Sequence, residues 1–369
     1  MSTITTLINS TDVPVKRIFD DTQTFLVEPD KNAYLAKMGV PIDEKALSVY
    51  KLIDMIFPAV IEEAFAVAAM KIKRNMSIAS ISGIDQPIAM TGTGAIEEAL
   101  TNLFKIVIGV NFTEADQIKF AQMMELGRIP KQYIEAIIKN IDDLQPKVMR
   151  TAILLSYQVL RTGRVNWTDP RTGILAAMNY NYVPALFPDP LLGTRAWSSL
   201  ATATGIIDIE THGDAYYEEN GFRPEMIVMR TQTIRNLCRQ QSTRDAFIAN
   251  GMASASTLGS TSVSVMGLQR LFEELMLPIP VILDAQVEIE PKPGMFNRIN
   301  LMNTGEYFFA NKNMGQRIFG KTIEGKGKAG IFVDTNPKDK RDIEDQAIAV
   351  GRMVPFVENP RLLAARVVN

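Results

Sequence analysis

An apolar pattern of helical period runs from about residue 130 to 162 and ends at a glycine. Ile134, Ile137, Ile138, Ile141, Leu144, Val148, Ala152, Leu155 and Val159 recur at steps of three and four. That spacing predicts a long amphipathic helix. Pro146 should kink or split it, because proline lacks an N–H and crowds the preceding turn. Gly163 fits the left-handed residue that closes a helix. The period alone suits an ordinary helix of an α/β protein equally well, so the elements around it must decide.

After the helix comes a polar turn, RVNWTDPRTG, then an apolar strand, ILAAMNYNYV. A loop carrying Trp197 follows, then a helix around IIDIETHGDAYYEE, the stop NGFRP and the strand EMIVMR. This order resembles the major capsid proteins of tailed bacteriophages, specifically the lambda-type capsid protein E family. The matching residues are Trp197 ahead of Asp208, Ile209 and Glu210, and then Gly221, Pro224, Ile227, Val228 and Met229. The likeness continues through LPIPVILDAQVE, NTGEYFFAN and VGRMVPFVENPRLLAARVV, and covers the last two-thirds of the chain.

The resemblance implies an α+β fold of the Hong Kong 97 type. It implies an N-terminal arm (1–42), a first part of the P-domain (43–70) and an E-loop β-hairpin (71–112). The P-domain with its spine helix (113–204), an A-domain (205–330) and return strands of the P-domain (331–369) would follow. The function implied is a self-assembling major head protein, forming hexamers and pentamers of an icosahedral shell around double-stranded DNA. Partners would be other copies of the chain, with a decoration or cement protein, a scaffold and a portal, and packaged DNA held non-specifically on the inner face. The place would be the virion capsid, assembled in the host cytoplasm. A cellular nanocompartment shell of the encapsulin type is the nearest rival, separated by a cargo-peptide groove.

The residues themselves add local detail. Residues 1–40 are polar with no sustained helical period. Fully extended they could reach on the order of 130 Å, far enough to cross onto a neighbour, and a terminus ordered from Met1 would need such a neighbour to hold it. The same segment is expected to stay on the mature chain. Residues 43–70 carry an Ala-rich helical pattern. IKRNMSIASISGIDQPIAMTGTG then alternates apolar and small polar residues up to Gly92 and Gly94, the expected bend of the hairpin and its assembly residues. The return leg, FKIVIGVNF, has the β-branched content of a strand. Thr113 and Asp116 have capping-box spacing for a helix. GMASASTLGSTSVSVMG (251–267) reads as a loop or irregular edge.

The 369 residues carry 46% apolar side chains and a formal net charge of −2. A sizeable core is possible, and the basic excess of a dedicated nucleic-acid binder is lacking. The start of the chain has no basic and apolar pair of regions like a signal peptide. The most apolar run is broken by Pro58, Glu62 and Glu63, so no membrane span is expected. The nineteen methionines are read as core filler and adaptable contacts.

Several motifs imitate chemistry. Gly315, Gly320, Lys321 and Thr322 satisfy the P-loop pattern G-x-x-x-x-G-K-[ST]. A working P-loop needs a helix N-terminus after it to supply N–H groups to phosphate, and IEGKGKAG is too rich in glycine for that. Gly325, Gly327 and Gly330 have G-x-G-x-x-G spacing and meet the same objection. Asp284, after VIL, is read as a strand-end residue. His212 is the only histidine and Cys238 the only cysteine, so neither a Ser-His-Asp triad nor zinc is supported. His212 is expected at the surface or facing the capsomer, and Cys238 as buried apolar volume. Asp142–Asp143 and Glu218–Glu219 are neighbours in sequence and do not face each other on a helix. The alternating charges of 336–345 suit an exposed loop or subunit contact. No catalytic residue, metal or cofactor is expected.

Overall fold

The computed structural model describes residues 51–62, 66–72, 96–112, 143–170, 175–252, 262–292, 295–322, 329–334 and 345–369, with isolated positions between them. The expected arm and the bend at Gly92 and Gly94 lie outside these residues, as do Thr113, Asp116 and most of 130–142.

A helical stretch, 51–56, leads into strand β1 (Ala59–Ile61). β2 (Ala66–Ile72) and β3 (Ile96–Asn102) pair antiparallel from Ala66↔Asn102 to Ile72↔Ile96. β4 (Phe104–Phe112) precedes helix α1 (Leu144–Thr162), and β5 (Arg164–Thr168) and β6 (Leu175–Asn179) form a hairpin. Next come α2 (Gly205–Asn220), β7 (Met226–Met229), α3 (Thr231–Arg239), α4 (Gln241–Ala249), α5 (Val265–Glu274) and β8 (Ile279–Ile282). A second hairpin, β9 (Gln286–Lys292) and β10 (Met295–Asn300), leads to β11 (Glu306–Ala310) and β12 (Gln316–Gly320). β13 (Ile331–Asp334), β14 (Asp345–Phe356) and β15 (Ala364–Val367) close the chain.

Two larger sheets organise these elements. In one, β14 pairs with β4 on one edge and with β12 and β13 in line on the other, while β1 runs parallel to β12. The second has the order β15-β11-β7-β8, with β7 and β8 parallel. α1 joins them. Val148 lies against Ile331 and Gly351 of the first sheet, and the Tyr157 ring sits 6.4 Å from Phe308 of the second. Arg150 is the one exposed residue of α1, so this helix is core on nearly every side rather than amphipathic. Pro146 stands in its first turn, where the missing N–H has no intrahelical partner to lose. Asn140 is helical, Asp143 is a turn and α1 begins at Leu144. Gly163 closes α1 with φ 66° and its N–H on Val159 O at 2.8 Å. A Cβ there would lie 2.3 Å from the Tyr182 ring.

Four sequence expectations are corrected. The helical pattern of 43–70 stops at 56, because Pro58 follows and the branched residues after it enter β1 and β2. Phe104–Phe112 is not a hairpin leg of the 71–112 loop. It pairs along β14, with Phe104, Ile106, Ile108 and Val110 turned to the core. The division at 330/331 falls inside one line of pairing, since β12 and β13 both lie on β14. The polar turn after α1 opens with a strand, β5, which buries Val165.

A buried ion pair fastens the first described segment to this frame. Arg317 of β12, 2% exposed, pairs with Asp54, donates from Nε to Phe57 O at 2.9 Å and reaches Met149 Sδ of α1. Removing one partner of such a pair strands a charge away from water. Arg317→Ala is therefore expected to lower unfolding free energy by about 3–5 kcal/mol. The apolar double variant Asp54→Leu/Arg317→Met should lose much less. Chemical denaturation midpoints check this, and a loss under about 1 kcal/mol for Arg317→Ala would mean that water reaches the pair.

Candidate assembly surface

α2 has two polar faces of different kinds. Its inner face carries Asp208, His212, Tyr216 and Asn220, one every four residues, all buried. That spacing lines them up along the helix, and each has a partner. Trp197 Nε1 donates to Asp208 at 3.2 Å, and Arg195 approaches the same carboxylate at 3.4 Å. Asn311 donates to the Tyr216 hydroxyl at 2.7 Å, and Asn220 donates to Arg361 O at 2.9 Å. The Trp197 ring stacks on Tyr307 at 5.4 Å. Gly205 starts the helix where nothing larger fits. Its N–H donates to Gln240 Oε1 at 2.9 Å, and a Cβ would stand 2.4 Å from Leu237.

His212 sits in the middle of this stripe, 3% exposed, which corrects the expected surface position. The polar partners beneath it, Tyr307 and Leu186 O, made burial possible, and both are distant in the chain. Nε2 lies 3.1 Å from Leu186 O and Nδ1 2.9 Å from the Tyr307 hydroxyl. A carbonyl only accepts, so Nε2 carries the proton and Nδ1 accepts from Tyr307. Burial pushes the pKa of His212 down to about 4, against the Leu186 bond and with help from the Arg366 charge. Both ring nitrogens are occupied, so the imidazole is a neutral structural link rather than an acid or base.

The P-loop pattern folds as sheet. Gly320 ends β12 opposite Arg352, Lys321 bridges to Ala329, and the chain resumes as β13 along the same edge of β14. Thr322 is buried, and among the described residues after it no helix begins before Ala329 and β13. Gly327 and Gly330 hold positive φ in the excursion between the strands, and Gly325 lies outside the described residues. Asp284 stands just past β8 and caps α3, accepting from the Thr231 N–H at 3.0 Å and from the Thr231 hydroxyl. Partial burial opposes its ionisation, but these bonds and Arg230 hold its carboxyl below the usual range. Cys238 is buried on α3, and burial pushes its thiol up to about 11. Asp143 is the turn before α1, and Asp142 and 336–344 lie outside the described residues. Ser264 caps α5 by accepting from Gly267 N–H at 3.0 Å, so the expected loop at 251–267 already ends as helix. Among the described residues no cluster of three metal-ligating side chains occurs, and no helix is long and apolar enough to cross a membrane.

The outward features are of another kind. The outer face of α2 and the turn after it expose Ile207, Glu210, Asp214, Tyr217, Glu218 and Phe222. β8 forms an edge of the second sheet and exposes Ile279 and Ile282, with Met276 just before it. The β9–β10 hairpin exposes Met295 and Phe296 beside a register shift. A two-stranded hairpin is marginal alone in water.

Two measurements follow from this geometry. The folded pKa of His212 is below the unfolded value, so only the unfolded chain takes a proton between pH 6.5 and 4. Its contribution is full above pH 6.5 and is lost as pH falls to about 4, roughly 3 kcal/mol in all. His212→Gln should flatten that part of the stability–pH curve, and a parallel curve for the variant would contradict the buried neutral imidazole. Calorimetry with ATP should detect no micromolar binding to the parent or to Lys321→Ala. Binding by the parent that the variant loses would restore the P-loop reading.

No family profile matches the sequence, and no curated protein matches it. Solved structures do. A protein assigned as the capsid protein of a prophage from E. coli CFT073 superposes with a TM-score of 0.51 at 11% identity, over 94% of this chain and 100% of that one. A phage-related protein from Bordetella bronchiseptica RB50 gives 0.49 at 11% identity, over 94% and 98%. The capsid of Myoviridae phage XM1 gives 0.40 at 14% identity, over 84% and 88%. The first of these carries the fold: the chain is α+β with the Hong Kong 97-type architecture of phage capsid proteins.

Proposed function

We propose that this protein is the major capsid protein of a tailed phage or prophage, a non-enzymatic subunit that assembles with copies of itself into hexamers and pentamers of an icosahedral shell. The observation that carries this is the match over nearly the whole of both chains to the E. coli prophage protein assigned as a capsid protein. The shell reading agrees with the outward features. One sequence that meets several different neighbours gains from projecting hairpins and open sheet edges, and modest contacts add up when many close one shell. The five-stranded sheet with α1 would be the P-domain, and the four-stranded sheet with α2–α5 the A-domain. β2 and β3 would be the base of an E-loop bent at Gly92 and Gly94, with 1–42 as the arm. Double-stranded DNA would lie against the inner face without specific phosphate sites, in keeping with the net charge of −2. Portal, scaffold and decoration proteins would be its partners in the host cytoplasm, and the virion its final place.

Electron microscopy of the purified full-length protein at micromolar concentration is expected to show capsomers or closed polyhedral shells. A monodisperse monomer under all assembly conditions tested would overturn the reading. Shells that copurify with a protein cargo and no nuclease-protected DNA would identify a nanocompartment instead.

A further inference from the structure

Charge is segregated along the helical layer on one face of the second sheet. One contact among several, the Gly205 N–H on Gln240 Oε1, sets the start of α2 against the junction of α3 and α4. At that junction stand Arg239 and Arg244, with Arg235 one turn earlier on α3 and Asp245 next in the chain on α4. An open recess lies there, lined by Leu200, Ala201, Arg239, Gln241, Arg244 and Ser262. Arg239 is exposed there, and the Arg244 guanidinium meets Gln241 Oε1.

The far end of α2 has the opposite character. Glu218 is thirteen residues from Gly205, about 20 Å along the helix. Around it stand Asp214, Glu219 and Glu225, against two arginines. Arg223 pairs with Asp214 at 2.6 Å, and Arg361 approaches Glu219 at 4.0 Å. Two exposed aromatics, Tyr217 and Phe222, sit among these acids. Each end thus offers apolar surface framed by charge, and the signs are opposite.

Two different, complementary patches on one chain make a head-to-tail contact, and a head-to-tail contact closes into a ring when its rotation allows. Resting on the shell reading, we infer that the acidic, aromatic end of α2 docks on the basic recess at the α3–α4 junction of a second copy of this chain, and that this contact closes the capsomer ring. Tyr217 and Phe222 are the anchors, since buried aromatic groups dominate contact energy. The exposed charges set direction and partner choice more than affinity, because single surface pairs are worth little. They also make association sensitive to salt.

The test uses the full-length chain and three variants. Arg239→Glu/Arg244→Glu makes both ends acidic, and Glu218→Lys/Glu225→Lys makes both basic. Sedimentation velocity should show the capsomer fraction of each falling on the order of tenfold or more, with melting temperatures unchanged. The fourfold variant, with both ends reversed, should recover capsomers. Mixing the two double variants should restore only even-membered rings, because like ends would meet in an odd ring. Normal capsomers from either double variant would overturn this contact and leave the shell reading standing, as would loss without recovery in the fourfold variant. A parent chain that never assembles would overturn both.

Discussion

α1 touches both large sheets and exposes little more than Arg150. Its first half packs through Val148 on β13 and β14, and its second half through Tyr157 on β11. Each fully buried aliphatic or aromatic side chain contributes about 1.5–3 kcal/mol, and α1 buries ten apolar ones, so no other single element fixes so much of the relation between the sheets. Its C-terminal end is tied as well. Arg161 meets Glu306 in a bidentate pair at 2.8 and 3.1 Å and reaches Leu301 O at 3.2 Å. The start of β11 is thereby set against the last turn of the helix, and β11 in turn places β7 and β15.

The second sheet depends on polar links laid inside apolar surroundings. His212 and Tyr307, Asp208 and Trp197, and Tyr216 and Asn311 each join α2 to a different part of the layer beneath. Such links cost little when all are made and much when one is left open. They specify position in a way that an apolar stripe of the same size would not. The outer face of α2 carries exposed Ile207, Glu210, Tyr217 and Glu218 instead.

What was legible in the sequence follows from range. The Gly163 and Gly221 stops are local, and the structure has them where they were expected, while of the apolar period of 130–162 it describes the helix Leu144–Thr162. The glycine content after Thr322, the argument against a P-loop helix, was legible too. The buried state of His212 was not. The every-four-residue stripe Asp208, His212, Tyr216, Asn220 was a usable signal, but it looks the same whether it faces water or Tyr307. β4 was misplaced for a like reason. Strand content is local, whereas pairing with β14 is a contact across more than two hundred residues of chain.

The Lys321 segment shows how a sequence pattern and its physical meaning separate. β12 and β13 act as one strand on β14, interrupted by an excursion that the Lys321–Ala329 bridge closes. Glycines serve that geometry because the excursion must leave and rejoin a sheet edge, and Gly327 and Gly330 do so with positive φ. The same glycines preclude the helix that would have turned backbone N–H groups toward a phosphate. Arg317, inside the pattern, is spent on Asp54 in the core. Gly320 and Lys321, two residues that made the segment resemble a nucleotide site, are thus accounted for by the sheet they belong to.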